Sequence, residues 1–251
     1  MTELSALDAA RQLAAPIGEA GSKWMLSPET LGPCKDAGYP HGFVYYVRGR
    51  AGVLGEVDAD VVIGALGFFE PGLIRKMWDL GVGVEDARAA GARYGLACAE
   101  YGRKRLGEFA GADRFATLAA QLADAAPVQG LALFAGWRSE PRPDDGPGRA
   151  YFLTHVLREL RGSAHVVAGV SSGLAPLDSI LTRHGAGQAK LFGWGEDFDD
   201  VSHLTDLRAD VEDLTDRICA AALERALDPS ERGELVALTT ELHAAIVAQP
   251  G

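Results

Sequence analysis

The sequence predicts an all-α fold, or one very close to it. Apolar residues recur at the three-to-four-residue spacing of amphipathic helices through most of the chain. Strict alternation of apolar and polar residues, which is typical of half-buried strands, is nearly absent. In addition, one helical pattern occurs twice, roughly 110 residues apart, and such self-similarity indicates one supersecondary unit used twice.

The first half of the chain contains seven predicted helices. Ser27–Pro28 has the composition of an N-cap followed by proline in the first turn, and Pro16 is expected to stop the first helix. Gly91, Gly95 and Gly102 lie inside the sixth helix and indicate close contact with a neighbouring helix. The predicted helices are Leu4–Ala14, Pro28–Ala37, His41–Arg50, Asp58–Phe68, Pro71–Leu80, Val84–Phe109 and Asp113–Ala125.

The second half begins after a predicted linker. Leu131–Ala135 is a short apolar run that is expected to be extended. Residues 139–148 are rich in Pro, Asp and Gly, and they separate a first helical unit at 1–138 from a second at 149–251. The second unit closes with two long helices whose apolar stripes suit packing within one chain or across a homodimer. Its predicted helices are Arg149–Leu160, Ser163–Ser172, Ala175–His184, Asp206–Leu227 and Pro229–Ala248.

Composition limits the classes of function. The 251 residues are 47% hydrophobic and carry a formal charge of -11, which disfavours a nucleic-acid partner. No apolar run approaches the roughly 20 residues that span a bilayer, and the N-terminus has no signal-peptide pattern. Three widely spaced cysteines fit reduced thiols, and no metal-ligand spacing or glycine-rich phosphate loop stands out. We therefore expect a cytoplasmic protein without metal or other cofactor, whose partner is a small molecule.

The repeated pattern places arginines at corresponding helix ends. In the first copy, Gly42–Arg50 leads into the apolar run Val61–Ile63. In the second, Ala150–Phe152 leads through Arg158–Gly162 into His165–Val167. If the two units pack as a pseudo-twofold pair, the two arginine-bearing ends face each other across the axis.

Two further blocks carry a family resemblance: Leu157-Arg158-Glu159-x-Arg161-Gly162-x-x-His165, and Val211-Glu212-x-x-Thr215-Asp216-Arg217. With these blocks in this order, the chain resembles the SalK-like helix-turn-helix family of actinobacteria. Other matching positions are Phe43, Tyr46, Gly49–Arg50, Leu54–Gly55, Phe69, Pro71, Gly130, Phe134, Gly173–Leu174 and Gly193–Trp194. The resemblance implies two related winged-helix units. For the function, we predict a small-molecule-binding protein or an enzyme of actinobacterial specialised metabolism. The second wing is degenerate here, because the short segment Gly195–Asp206 contains five acidic residues.

Arginines at the helix ends are the strongest candidates for a site. Arginine presents a planar, permanently charged group that suits carboxylates and phosphates. We therefore predict that an anionic or aromatic ligand binds between the two repeats. The candidate ligand-binding residues are Tyr46, Arg50, Arg158, Arg161 and His165.

Other interpretations of the same residues stay open. The helix-end arginines, including Arg48, could instead pair internally with Glu56, Asp58, Glu159 or Asp178, because a buried arginine without an acid is unfavourable. His165 could be a helix-packing residue. A helix-turn-helix transcriptional regulator is the alternative function. A serine hydrolase is another, because Gly169–Gly173 fits the G-x-S-x-G pattern with Ser171 as nucleophile. Whether the chain is an enzyme is left open.

Overall fold

The computed structural model describes residues 2–248, and every regular element in that range is a helix. The all-α prediction is therefore confirmed. Short 3₁₀ turns lie at Gly32–Cys34 and Ser202–Leu204. The α-helices are α1 (Ala6–Ser22), α2 (Pro28–Leu31), α3 (Gly42–Gly52), α4 (Ala59–Leu66), α5 (Pro71–Val82), α6 (Ala87–Leu106), α7 (Ala112–Ala125), α8 (Ala132–Ser139), α9 (Gly146–Ser172), α10 (Pro176–Leu191), α11 (Thr205–Ala226) and α12 (Pro229–Val247).

Two local predictions were wrong for the same reason, which is that packing outweighed a local signal. Helix α1 continues through Pro16 to Ser22, because Leu13, Ile17 and Ala20 on either side of the proline are buried in the core. The proline removes one backbone hydrogen bond without ending the helix. The run at 131–135 is not extended but begins α8, where buried residues recur with helical spacing at Phe134 and Trp137.

Helix α9 is the centre of the fold and is longer than predicted. The sequence predicts a break between Leu160 and Ser163, but the helix runs unbroken over 27 residues and packs against α1, α6, α7, α8 and α11. The glycine at 162 costs the helix only about 1 kcal/mol relative to alanine, which these contacts offset. Continuity matters for the site, because it fixes Arg158, Arg161 and His165 along one side of a single rigid helix.

Glycines let the helices approach α6, as predicted. A Cβ at Gly102 would overlap the side chain of Tyr151 on α9, and a Cβ at Gly91 would lie 3.0 Å from the backbone nitrogen of Val53. Gly95 differs, since its Cβ would make an ordinary contact of 3.5 Å with Phe152. Close packing therefore explains two of the three glycines in this helix.

The core crosses the predicted linker. Trp137 before it and Phe152 after it lie in one buried cluster, with ring centroids 6.1 Å apart. The last two helices also pack within the chain. Helix α11 packs on α1, α7 and α9, and α12 packs on α1. The division at 139–148, the pseudo-twofold relation and a dimer through these helices remain predictions.

Within residues 2–248, no single helix is both long enough and apolar enough to cross a membrane. Helices α9 and α10 meet these two criteria only when they are taken together, and the pair is bent by 117°.

Candidate functional site

A large cleft lies between α1, α9, α10 and α11. It encloses about 1130 Å³ and is open to solvent, so it is at least as large as typical ligand pockets of roughly 300–1,000 Å³. Ala14, Gly18 and Ser22 recur every fourth residue on α1 and form one wall. The other long wall is the side of α9 that carries Arg158 and His165.

All five residues predicted as a site line this cleft. The structure thus brings together Tyr46, Arg50, Arg158, Arg161 and His165 from α3 and α9. Arg48 does not join them. Its guanidinium group stacks on Trp78, pairs with Glu56 and donates to the backbone oxygen of Glu85 at 2.9 Å. Arg48 therefore has a structural role, as one of the alternatives proposed.

Arg50 is held by a buried carboxylate. Its Nε and Nη2 donate to the two oxygens of Glu159 at 3.0 and 2.9 Å, and its Nη1 donates to the Tyr46 hydroxyl at 2.6 Å. Glu159 is only 1% exposed. Burial by itself would raise the pKa of Glu159, but the charges of Arg50 and Arg158 outweigh burial and lower that pKa to about 2. This ion pair joins α3 to α9 and supports the internal-pairing interpretation for Arg50.

Arg158 retains donors that the protein does not use. Its Nη1 donates to Glu159 at 2.8 Å, and no other hydrogen bond is made by its guanidinium group among residues 2–248. The side chain is 25% exposed. Burial and the nearby charge of Arg50 lower the pKa of Arg158. An anion entering the cleft would find two further N–H-bearing nitrogens here, and it would relieve the excess positive charge.

Arg161 belongs to a second group of charges, formed with α10 and α11. It donates to Asp216 at 2.6 Å and to Glu212 at 2.8 Å. Arg183 and Arg208 also donate to Glu212, at 2.7 and 2.5 Å. Arg208 is 8% exposed, and its Nε and Nη1 donate to no described residue. These three arginines donate to two carboxylates, and Arg11 on α1 adds a longer contact of 3.8 Å with Asp216.

His165 is fixed by one hydrogen bond and faces the same cleft. Its Nδ1 lies 2.9 Å from the Thr215 hydroxyl, and its ring lies 5.6 Å from that of Phe68. Burial, with the charges of Arg208 and Arg161, lowers the pKa of His165 to about 4. The imidazole is therefore neutral near pH 7.

One end of the cleft is aromatic. Phe69 and Phe192 pack with ring centroids 4.3 Å apart, and the indole nitrogen of Trp194 donates to the backbone oxygen of Phe68 at 2.9 Å. Tyr46 completes this group, 6.0 Å from the ring of Phe69. Tyr46, Phe68, Phe69 and Phe192 line the cleft and offer flat apolar surfaces beside its cationic part, whereas Trp194 is not part of the lining.

Residues 10–204 match the model of a helix-turn-helix family, which covers more than half of the chain. The chain belongs to this helix-turn-helix family. No curated protein and no solved structure matches the chain. The match confirms the helix-turn-helix part of the resemblance, while its SalK-like and actinobacterial parts remain predictions.

Two helix pairs have the turn length of a helix-turn-helix motif, in which a three- or four-residue turn joins the helices. Residues 67–70 join α4 to α5, and residues 173–175 join α9 to α10 at 117°. The carboxylate of Glu70 caps α5 by accepting from the backbone nitrogens of Gly72 and Leu73. The segment after Trp194 forms neither helix nor strand before Ser202, so no strand wing follows α10.

The serine-hydrolase interpretation lacks its structural context. The nucleophile elbow requires a strand that turns sharply into a helix, and residues 2–248 contain no strand. Ser171 is instead exposed in the last turn of α9. Nor do the described residues contain a group of three or more His, Cys, Asp and Glu residues placed to hold a metal ion.

The sequence analysis did not identify one wall of the cleft and two of its arginines. The α1 wall was not identified, although its small residues at positions 14, 18 and 22 follow one helix face and could have indicated a surface that another element approaches. Arg183 and Arg208 were also missed, because charged residues on amphipathic helices ordinarily face solvent and nothing local marks these two.

Proposed function

We propose that this helix-turn-helix protein binds a small anionic molecule with an aromatic or other apolar part in the cleft beside α9. One observation carries the proposal, which is that the cleft lining is positive although the chain is negative. The lining contains seven basic and four acidic side chains, a surplus of three positive charges in a chain of net charge -11. The basic residues are Arg11, Lys23, Arg50, Arg158, Arg161, Arg183 and Arg208, and the acidic residues are Glu19, Glu159, Glu212 and Asp216.

Hydrogen-bonding capacity near the middle of the cleft supports an anionic group. Arg158 has unused donors, and the Tyr46 hydroxyl accepts from Arg50 while its own proton has no acceptor among the described residues. Charge-assisted hydrogen bonds to arginine are roughly twice as strong as neutral ones. A ligand carboxylate at this position can accept hydrogen bonds from both side chains, while the apolar part of the ligand points to the aromatic end.

We expect biphenyl-4-carboxylate to bind, and biphenyl-4-methanol to bind at least about tenfold more weakly, because hydrogen bonds to a charged group contribute about 1.5–3 kcal/mol. Arg158→Met should remove most of the preference for the carboxylate. Isothermal titration calorimetry measures both affinities. Arg75→Met is the matched control, because Arg75 is half exposed on α5 outside the cleft lining. Equal affinities for acid and alcohol, or an Arg158→Met variant that still prefers the acid, would contradict the proposal.

DNA binding is a second candidate, favoured by the family match and by the α4–turn–α5 pair. Lys76 and Arg75 on α5 are exposed and could contact phosphates. Against this candidate, Glu70 places a carboxylate at the N-terminus of α5, where a phosphate would otherwise bind.

The DNA-binding candidate predicts that a fluorescein-labelled duplex gains anisotropy with the protein at about 50 mM salt and loses it steeply as salt rises. Lys76→Ala should then weaken binding, while Lys104→Ala, on α6 near Glu29, serves as the control. An anisotropy that stays at the free-duplex value at low salt removes this candidate.

A further inference from the structure

The hydrogen bonds of Thr215 define the tautomer of the His165 imidazole. The Thr215 hydroxyl has a single proton, and that proton is donated to the backbone oxygen of Val211 at 2.7 Å. Thr215 can therefore only accept at the 2.9 Å contact with His165 Nδ1. Because Nδ1 carries the ring proton of the neutral imidazole, Nε2 is left as a lone-pair acceptor.

Nε2 of His165 is an unused acceptor in the cleft. It makes no hydrogen bond to any of residues 2–248. Glu212 already accepts through both carboxylate oxygens from Arg161, Arg183 and Arg208. Asp216 accepts from Arg161 through Oδ1. A hydroxyl or N–H group of a ligand that reaches His165 can therefore donate a hydrogen bond to Nε2.

The spacing along α9 relates this acceptor to the donors of Arg158. The two residues are seven positions apart on one continuous helix, which places them on the same face with about 10 Å between them along the axis. Gly162 lies between them and lines the cleft, and a Cβ at that position would meet nothing within 4 Å. A flat ring system can lie across this glycine and reach both side chains.

We infer that the ligand carries an acidic group at one end and a hydrogen-bond donor, such as a phenolic hydroxyl, at the other, and that His165 selects for the donor. This inference rests on the proposed function of the cleft. Thr215 is the positioning residue, because it holds the tautomer of His165 that exposes the lone pair.

Three rigid probes of matched shape test the inference by calorimetry: biphenyl-4-carboxylate and its 4′-hydroxy and 4′-methoxy derivatives. We expect the hydroxyl probe to bind up to about tenfold more tightly than the parent, as one additional hydrogen bond allows, and the methoxy probe to gain nothing. His165→Asn can keep an N–H toward Thr215, but its shorter side chain places no acceptor at the position of Nε2. This variant should therefore abolish the tighter binding of the hydroxyl probe. His165→Gln can place an amide oxygen near the position of Nε2 and should restore part of it.

A merely structural role for His165 predicts a different result, in which both variants weaken all three probes equally. That result, or a hydroxyl probe that binds no better than the parent, would overturn the inference while the proposed function stands. Failure of the proposed function itself is distinguishable, because then none of the three carboxylates binds or Arg158→Met leaves their affinities unchanged. Thr215→Val should reduce the ratio of hydroxyl to parent affinity, and an unchanged ratio contradicts its positioning role.

Discussion

Gly162→Phe is expected to weaken the binding of biphenyl-4-carboxylate by at least about a hundredfold, which corresponds to about 2.7 kcal/mol. The phenyl ring would occupy the floor of the cleft between Arg158 and His165, where Gly162 now leaves open space. All charged and hydrogen-bonding groups of the site stay unchanged in this variant. Loss of binding would therefore locate the ligand over this glycine.

Folding should survive the change at Gly162. The position is helical, a Cβ there meets no atom within 4 Å, and glycine is less favourable in a helix than phenylalanine. Gly162→Ala should bind the probe as before and raise the free energy of unfolding by up to about 1 kcal/mol. Calorimetry and urea unfolding of each variant give the two quantities.

Gly64 offers a matched control. It is also a helical glycine with open space around its Cβ, but it is exposed on α4 and does not line the cleft. Gly64→Phe should leave the affinity for the probe unchanged. A Gly162→Phe protein that binds the probe with the affinity of the unmodified protein would show that the ligand does not lie on α9.

Local chemistry made much of the fold predictable. Ser27 accepts from the backbone nitrogen of Thr30, and Asp228 with Glu231 forms a reciprocal cap on α12, so both helices begin where their residue types predict. Errors occurred where distant packing decided the outcome. Burial on both sides of Pro16 outweighed its tendency to end a helix. Packing of α9 against α1, α6, α7, α8 and α11 outweighed the cost of Gly162.

In the candidate site, too, some features could be predicted from local sequence and others depended on distant packing. The helix-end arginines could be identified from the sequence, and so could the acid at 159 that pairs with Arg50. The partners of Arg161 could not, because Glu212 and Asp216 come from α11, 51 and 55 residues away. Separation alone is not the reason, since Arg50 and Glu159 are 109 residues apart. Glu159 belongs to the repeated arginine pattern, whereas Glu212 and Asp216 lie outside it and meet Arg161 only because α9 and α11 pack together.

We expect Glu159→Gln to lower the free energy of unfolding by about 3–5 kcal/mol, the range for a buried ion pair that loses one partner. Glu159 is the shared acceptor of Arg50 and Arg158, and its loss leaves two guanidinium groups close together without a compensating charge. Urea unfolding at pH 7 measures the change. Asp60→Asn is the control, since its pair with Arg75 is exposed and should contribute at most about 1 kcal/mol.

The pH dependence separates the charge of Glu159 from its shape. Although burial opposes ionisation, Arg50 and Arg158 lower the pKa of Glu159 from 4.5 to about 2. A carboxylate whose pKa is lower in the folded state stabilises the fold fully above its unfolded pKa, and this contribution disappears as pH falls toward its folded pKa. The difference in stability between the unmodified protein and Glu159→Gln should therefore be constant above about pH 5 and shrink between about pH 4.5 and pH 2. A difference that stays constant through that interval would mean that packing of the side chain, and not its charge, joins α3 to α9.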